Sequence, residues 1–325
     1  MRRIRWGVLG AAKIAREKVI PGMRLGQHSE VVAVASRNLD QARALGLAKA
    51  YGSYHELLAD PDVDAIYNPL PNHLHVPWSI RCAEAGKHVL CEKPIAISAS
   101  EARELIAARD RTGVKIGEAF MSRTHPQWLR ARDVARSGEI GDVRVVQGFF
   151  SYFNRDAANI RNQTEAAGGA LMDIGCYPVT HSRMIFGVEP RRAMALMERD
   201  PDFGTDRLTS AVLEFPGGEC AFTCSTQLAP YQRMHILGTR GRIEIEIPFN
   251  APPDRATRIL IGDRIEEFAP CDQYTIQGDL FSRAILENGP VPVPLEDALH
   301  NMEAIDAIAR SAVSGKWEDV LTSSV

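Results

Sequence analysis

The chain has 325 residues, 45% of them hydrophobic and 24% charged, with 38 basic and 41 acidic side chains and a formal net charge of -3. That length exceeds what one compact core usually holds, so two domains are expected, and the composition excludes collagen-like, mucin-like and disordered classes. The balanced charge gives no footprint for nucleic acid or an anionic membrane, and no stretch approaches the roughly 18 apolar residues of a spanning helix, so the chain reads as a cytoplasmic protein.

The first 120 residues repeat one unit: a β-rich run, a turn signal, then a helical pattern. Strands are predicted at Ile4–Leu9, Val31–Ser36, Ala65–Asn68, His88–Cys91 and Val114–Glu118, with helices near Ile14–Arg24, Leu39–Ala48, His75–Ala85 and Ala99–Arg109. Ser98 followed by Glu101 is a capping box for the last of these. Such alternation gives a parallel, doubly wound sheet, an α/β Rossmann domain over residues 1–121. From Val143 the runs alternate with period two, plainest in Ile243-Glu244-Ile245-Glu246-Ile247, and Pro216-Gly217-Gly218 reads as a hairpin. Residues 122–325 are therefore expected to form an α+β domain with a large, mainly antiparallel, open sheet. Its open face suits a second subunit, giving a homodimer or homotetramer. A helix near 295–312, with Leu295, Ala298, Leu299, Met302, Ile305 and Ile308 at helical spacing, could pack back on the first domain.

The cysteines at 82, 91, 176, 220, 224 and 271 are scattered, as befits a reducing compartment. Cys220 and Cys224 share a strand face, but no second Cys or His pair completes a tetrahedral set, so no metal is expected.

The first strand runs through Gly7-Val8-Leu9-Gly10-Ala11-Ala12-Lys13-Ile14-Ala15 into a helix, the context of a dinucleotide fingerprint. Gly10 makes the turn, Ala15 lets helix and strand approach, and Ala12 stands where a second glycine is usual. At the end of the second strand an NAD site wants a carboxylate for the ribose hydroxyl. This chain offers Ser36-Arg37-Asn38 instead, donors suited to a 2′-phosphate, so NADP is preferred over NAD.

Ligands in such sheets sit outside the carboxyl ends of the strands. There the chain places Asn68-Pro69-Leu70-Pro71-Asn72-His73-Leu74-His75, Glu92-Lys93-Pro94, and a run from Glu118 through Arg123 to His125. Cofactor contacts are expected from Gly10, Ala11, Ala12, Lys13, Ile14, Ser36, Arg37, Leu70, Pro71, Asn72, His75, Glu92 and Lys93. The second domain supplies Gly168-Gly169-Ala170-Leu171-Met172-Asp173-Ile174-Gly175-Cys176-Tyr177-Pro178; on a helix Asp173 and Tyr177 would share a face, with His181 prolonging it. Pro178 leaves the helix start open.

These four motifs, in this order, resemble the signatures of the glucose–fructose oxidoreductase, inositol dehydrogenase and MocA (Gfo/Idh/MocA) family, over nearly the whole chain. The resemblance implies that Lys93 and the residue at 177 carry the chemistry with Asp173 beside the substrate. Many members have His at the last position; Tyr177 is similar to the branch of NADP-dependent aldose dehydrogenases, dihydrodiol dehydrogenases and sugar 3-ketoreductases. The expected activity is hydride transfer between NADP and a carbohydrate carbinol, foremost oxidation of an aldose at C1 to its lactone. In it Tyr177 moves the hydroxyl proton and the Lys93 ammonium favours the phenolate. Alternatives are a keto-sugar reductase, a trans-dihydrodiol dehydrogenase, an aldose–aldose oxidoreductase that retains its NADP, and a non-catalytic NADP-binding regulator. Arg123, Asn159, Arg161, Asp173 and His181 are candidate contacts for a polyhydroxylated substrate.

Overall fold

The computed structural model describes residues 2–322. They divide into two compact units. The first comprises residues 2–96, 100–124 and 272–299, the second residues 97–99, 125–271 and 300–322.

The first unit holds six parallel strands: β1 (Ile4–Leu9), β2 (Ser29–Ala35), β3 (Lys49–Tyr51), β4 (Ala65–Asn68), β5 (His88–Glu92) and β6 (Ile116–Ala119). Their order is β3-β2-β1-β4-β5-β6, so the strand order reverses between β1 and β4. That reversal opens the crevice in which α/β sheets bind ligands. The expected doubly wound sheet is present with one strand more than predicted. The helix expected over Leu39–Ala48 spans only Leu39–Arg43, because Gly46 turns the chain out at a positive φ of 60°, and β3 follows. A short helix, Tyr54–Ala59, is then capped by Ser53.

The expected single cut near residue 121 is corrected by the segment 272–299, which belongs to the first unit. The Asp279 carboxylate accepts the backbone N–H groups of Gln27 (2.8 Å) and His28 (2.9 Å), and buried Trp6 donates its indole N–H to Ser282 Oγ at 3.0 Å. A Cβ on Gly117 would lie 2.9 Å from the Phe281 ring and 3.0 Å from Val293 O, so β6 admits this segment only with glycine there. The predicted C-terminal helix forms over Leu295–Ser314. Residues 295–299 group with the first unit and the remainder with the second, where Ser311 Oγ accepts the Ala195 N–H at 3.0 Å.

The second unit is a nine-stranded mixed sheet in the order β14-β13-β12-β11-β7-β10-β9-β8-β15. The strands are β7 (Val143–Phe153), β8 (Arg192–Arg199), β9 (Asp206–Phe215), β10 (Gly218–Ser225), β11 (Gln227–Gly238), β12 (Arg242–Ile245), β13 (Thr257–Ile261), β14 (Arg264–Phe268) and β15 (Glu318–Asp319). Only β7 and β10 pair in parallel, and the expected hairpin joins β9 to β10. Alternate residues face inward: Cys220, Phe222 and Cys224, or Ile243 and Ile245, are buried. Helices Pro126–Ser137 and Cys176–Phe186 belong to this layer; Trp128 donates its indole N–H to Pro248 O at 2.6 Å, and Gly148 of β7 lies under Pro178. The other face is open across β8, β9, β10 and β7, where Met194, Leu196, Val212, Ala221 and Thr223 line a shallow depression of about 400 Å³. Among the described residues no helix is long and apolar enough to cross a membrane.

Replacing Asp279 with Ala strands two backbone N–H groups and is expected to cost about 1–3 kcal/mol of stability. Thermal or urea denaturation measures this, and an unchanged midpoint would show that the segment is held otherwise.

Candidate functional site

In the first unit, Gly10 has a φ of 79°, which an L side chain adopts only with strain. A Cβ there would also come within 3.3 Å of Leu70 and 3.6 Å of the Tyr54 hydroxyl. Ala11 and Ala12 are half-buried and Lys13 is exposed at the start of the following helix, whose first turns are of the wider π type over Ala15–Val19. This open turn fits a pyrophosphate. Arg37 is exposed at the end of β2, while Ser36 is buried with its hydroxyl accepting the Asn38 N–H at 3.2 Å. Of the expected pair, Arg37 is open to solvent at the strand end, while Ser36 shapes the loop. Tyr54, which the sequence did not single out, stands beside the Gly10 turn, with Arg37 close enough to offset part of the upward push that burial gives its phenol.

The loops after β4 and β5 are fixed by buried polar groups. Asn68 donates to His75 O and to Ser79 Oγ, both at 3.1 Å, and accepts the Leu70 N–H. Glu92 accepts the hydroxyl of fully buried Tyr67 at 2.6 Å, and Glu118 accepts the Ile95 N–H at 2.8 Å. Lys93 is partly exposed between these anchors, as are Pro71 and Asn72, whereas Leu70 is buried.

His75, expected at the cofactor, is turned inward instead. It is 1% exposed, with Nδ1 2.7 Å from Pro94 O and Nε2 2.7 Å from Leu70 O. Burial, with Lys93 nearby, pushes its pKa down to about 4, so the ring is neutral at pH 7 and donates its single N–H to one of the two carbonyls. It braces the two loops and offers a cofactor no free nitrogen. Arg123, a candidate substrate contact, has its guanidinium on Asp297 at 2.8 Å and is only 14% exposed.

In the second unit the Asp173 carboxylate gathers two partners. Its Oδ2 accepts the Tyr152 hydroxyl at 2.6 Å and the Arg161 Nε–H at 2.7 Å. Burial and then the Asp173 charge raise the Tyr152 pKa, keeping that phenol a donor. The Arg161 pKa is raised by its attraction first to Asp173 and also to Tyr152 and Tyr177, which places Tyr177 within electrostatic reach of the guanidinium. Tyr177 itself is 4% exposed, its ring set edge-on to Phe150 and tilted against Phe249.

The backbone explains this cluster. Residues Leu171–Gly175 form a π-type turn that runs without a break into the helix Cys176–Phe186, so Pro178 follows directly on the stretch where the hydrogen-bond ladder is already widened. The entry is capped from β9: Asp206 accepts the Leu171 N–H at 2.7 Å and the Thr209 hydroxyl at 2.9 Å. Gly169 (φ 119°) passes so close to Asp206 that a Cβ would overlap its carboxylate, and a Cβ on Gly168 would lie 2.5 Å from the carbonyls of Ile160 and Arg161. The two glycines therefore bring the 160–161 segment, and Arg161 with it, against Asp173. Asn159 accepts the Arg161 N–H as a local cap. His181 is fully buried, its ring 3.9 Å from that of Trp128 and its Nδ1 donating to Tyr177 O at 2.8 Å. It supports the helix and is withdrawn from substrate.

A Rossmann model described as an oxidoreductase family with an NAD-binding fold matches residues 4–120, and a Gfo/Idh/MocA C-terminal domain model matches residues 128–244. The chain is 50% identical to an uncharacterised oxidoreductase of Rhizobium meliloti, covering 98% of this chain and 100% of that protein. It is 40% identical to a D-xylose 1-dehydrogenase (NADP(+)) of Haloferax volcanii, covering 95% and 98%. It superimposes on a 3-ketoreductase from Actinomadura kijaniata, solved with NADP and TDP-benzene, with a TM-score of 0.90, 30% identity, and coverage of 95% and 98%.

Two variants test the geometry. Leu in place of His75 removes the brace between the loops and is expected to lower stability by about 1–3 kcal/mol. Ala in place of Gly169 should cost more than about 2 kcal/mol, since strain and overlap add. Calorimetric melting reads both, and wild-type midpoints would contradict the assigned roles. With both domain models matched and relatives aligned from end to end, the chain belongs to the Gfo/Idh/MocA family of NAD(P)-dependent oxidoreductases.

Proposed function

We propose that the protein oxidises an aldose at C1 to its lactone with NADP, Lys93 and Tyr177 acting on the same substrate. The observation that carries this reading is the cluster in which Asp173 joins Arg161 and Tyr152 one helical turn from Tyr177. It offers both donors and an acceptor, the chemistry that recognises adjacent sugar hydroxyls. The 40% identity to a D-xylose 1-dehydrogenase supports it.

NADP, when bound, supplies the hydride acceptor. The residues of this chain then have one proton to move. Tyr177 takes the proton of the C1 hydroxyl, an ammonium from Lys93 favours the phenolate and donates to the substrate oxygen, and Asp173 and Arg161 fix a second hydroxyl. In the reverse direction Tyr177 returns the proton. Arg37, exposed where an NAD site would carry a carboxylate, supports NADP as the partner. The open sheet face, with Leu196 77% exposed, supports pairing with a second copy of the chain. Reduction of a keto-sugar is the second reading, favoured by the likeness to a 3-ketoreductase.

The test is NADPH formation across pentoses, hexoses and cyclic diols. Activity on pentoses or hexoses is expected, and silence toward every aldose with turnover of a keto-sugar would replace the first reading by the second. Phe at position 177 should lower kcat by about 100-fold or more while leaving the KM for NADP nearly unchanged. Equal rates would remove Tyr177 from the chemistry. Ala at position 37 should raise the KM for NADP by about 10-fold or more and leave that for NAD unmoved, since it removes a charge-assisted contact to one cofactor only.

A further inference from the structure

We propose that Tyr54 is a cofactor-specificity residue: its hydroxyl, set beside the Gly10 turn and near Arg37, donates a hydrogen bond to the 2′-phosphate of NADP. This rests on the NADP reading above and adds a second side chain to the arginine on which that reading stands.

The ends of β1, β2 and β3 are tied together at this point of the first unit. The Gly10 N–H donates to Ala35 O at 2.6 Å, joining the fingerprint turn to the end of β2, and the Ser36 N–H donates to Tyr51 O at 3.0 Å, joining that end to β3. Tyr54 follows shortly after β3 and opens the helix Tyr54–Ala59. Its hydroxyl oxygen lies 3.6 Å from where a Cβ on Gly10 would stand, and Arg37 is within electrostatic reach of it. In a dinucleotide fingerprint the diphosphate is met at the second glycine position and the helix N-terminus, while the end of the second strand meets the 2′ position of the ribose. A group flanked by Gly10 and Arg37 therefore belongs to the ribose side.

The two phenols of this region are used differently. Tyr51 gives its hydroxyl to Asp60 at 2.8 Å, a carboxylate that also receives Lys49. The Tyr54 hydroxyl makes no hydrogen bond among the described residues, although its side chain is half-buried and its ring is fixed. That ring stands edge-on to Trp78, with centroids 4.8 Å apart, and the Arg81 guanidinium covers Trp78 at 4.6 Å. Ser53 caps the helix by accepting the His55 N–H at 3.2 Å, and Leu57 and Leu58 are buried beneath it. A donor held in this way loses little freedom when a ligand arrives. Burial pushes the Tyr54 pKa up and Arg37 offsets only part of this, so the phenol stays protonated near neutrality and donates. Its bond to an ionised phosphate is charge-assisted, whereas the ribose hydroxyl that NAD offers at the same place is neutral and gains less.

Calorimetric titration with 2′,5′-ADP and with 5′-ADP, which differ only in the 2′-phosphate, tests this without turnover. Wild type is expected to prefer 2′,5′-ADP. Tyr54→Phe, which keeps the ring and its contact with Trp78, should weaken 2′,5′-ADP by about 10-fold and leave 5′-ADP within about twofold. In a cycle with Arg37→Ala the two losses of 2′,5′-ADP affinity should depart from additivity by about twofold or more, since both groups hold one phosphate. Strictly additive losses would contradict this. A purely structural tyrosine, or one that meets the ribose or the diphosphate, would weaken both nucleotides alike and overturn the proposal. An unchanged preference in Tyr54→Phe overturns it too and leaves the NADP reading intact. No preference for 2′,5′-ADP in wild type overturns the NADP reading and the proposal together.

Discussion

The second unit's site depends on one buried carboxylate. Asp173 is 8% exposed, and an ionised carboxylate that far from water survives only with hydrogen-bonding and charged partners. Tyr152 and Arg161 meet that requirement, and meeting it dictates much of the local chain. The π-type turn, the Gly168-Gly169 pair and the cap from Asp206 all serve to bring the 160–161 segment after β7 against the helical segment that begins at Leu171. The outcome is a cluster of fixed donors and acceptors within electrostatic reach of Tyr177, in place before any ligand arrives. Groups fixed in advance need not be reorganised during reaction, which is where much of the electrostatic help in catalysis originates.

The first unit reaches the same end through backbone. Its loops after β4 and β5 are held by neutral or hydrogen-bonded buried groups: Asn68 within its own loop, His75 between Leu70 and Pro94, Tyr67 on Glu92, Glu118 on Ile95. Lys93 and the neighbouring Glu92 are both partly exposed among them. A lysine held by the chain on either side has less freedom to lose on meeting a substrate, and less of the binding free energy is then spent on ordering it.

How much of this could be read from the sequence follows from where each signal resides. The fingerprint at Gly10, the motifs ending β4 and β5, and the period-two runs of the second unit are local patterns, and local patterns survive in a string of letters. The Gly168–Pro178 motif would set Asp173 and Tyr177 on one face if helical; the segment is helical, with a π-type turn ahead of Pro178 that periodicity does not announce. His75 and His181 read as ligand contacts because a histidine near a motif looks the same whether its ring faces in or out; both are buried against carbonyl groups. Ser36 and Arg123 were likewise claimed by neighbours that lie elsewhere in the chain or in the loop itself. Tyr152 was hidden in a strand pattern, where an aromatic at a half-buried position is ordinary. β3 and the assignment of 272–299 to the first unit depend on tertiary contacts such as Trp6 with Ser282, separated by 276 residues.

On the proposed function, Lys93 and Tyr177 act on one oxygen of one sugar. A crystal structure with NADP and an aldose tests it most directly. The account predicts Lys93 Nζ and the Tyr177 hydroxyl both within hydrogen-bond distance of the C1 oxygen, with C1 facing the nicotinamide. A sugar bound in that structure with only one of the two side chains on its C1 oxygen, or with neither, would contradict it.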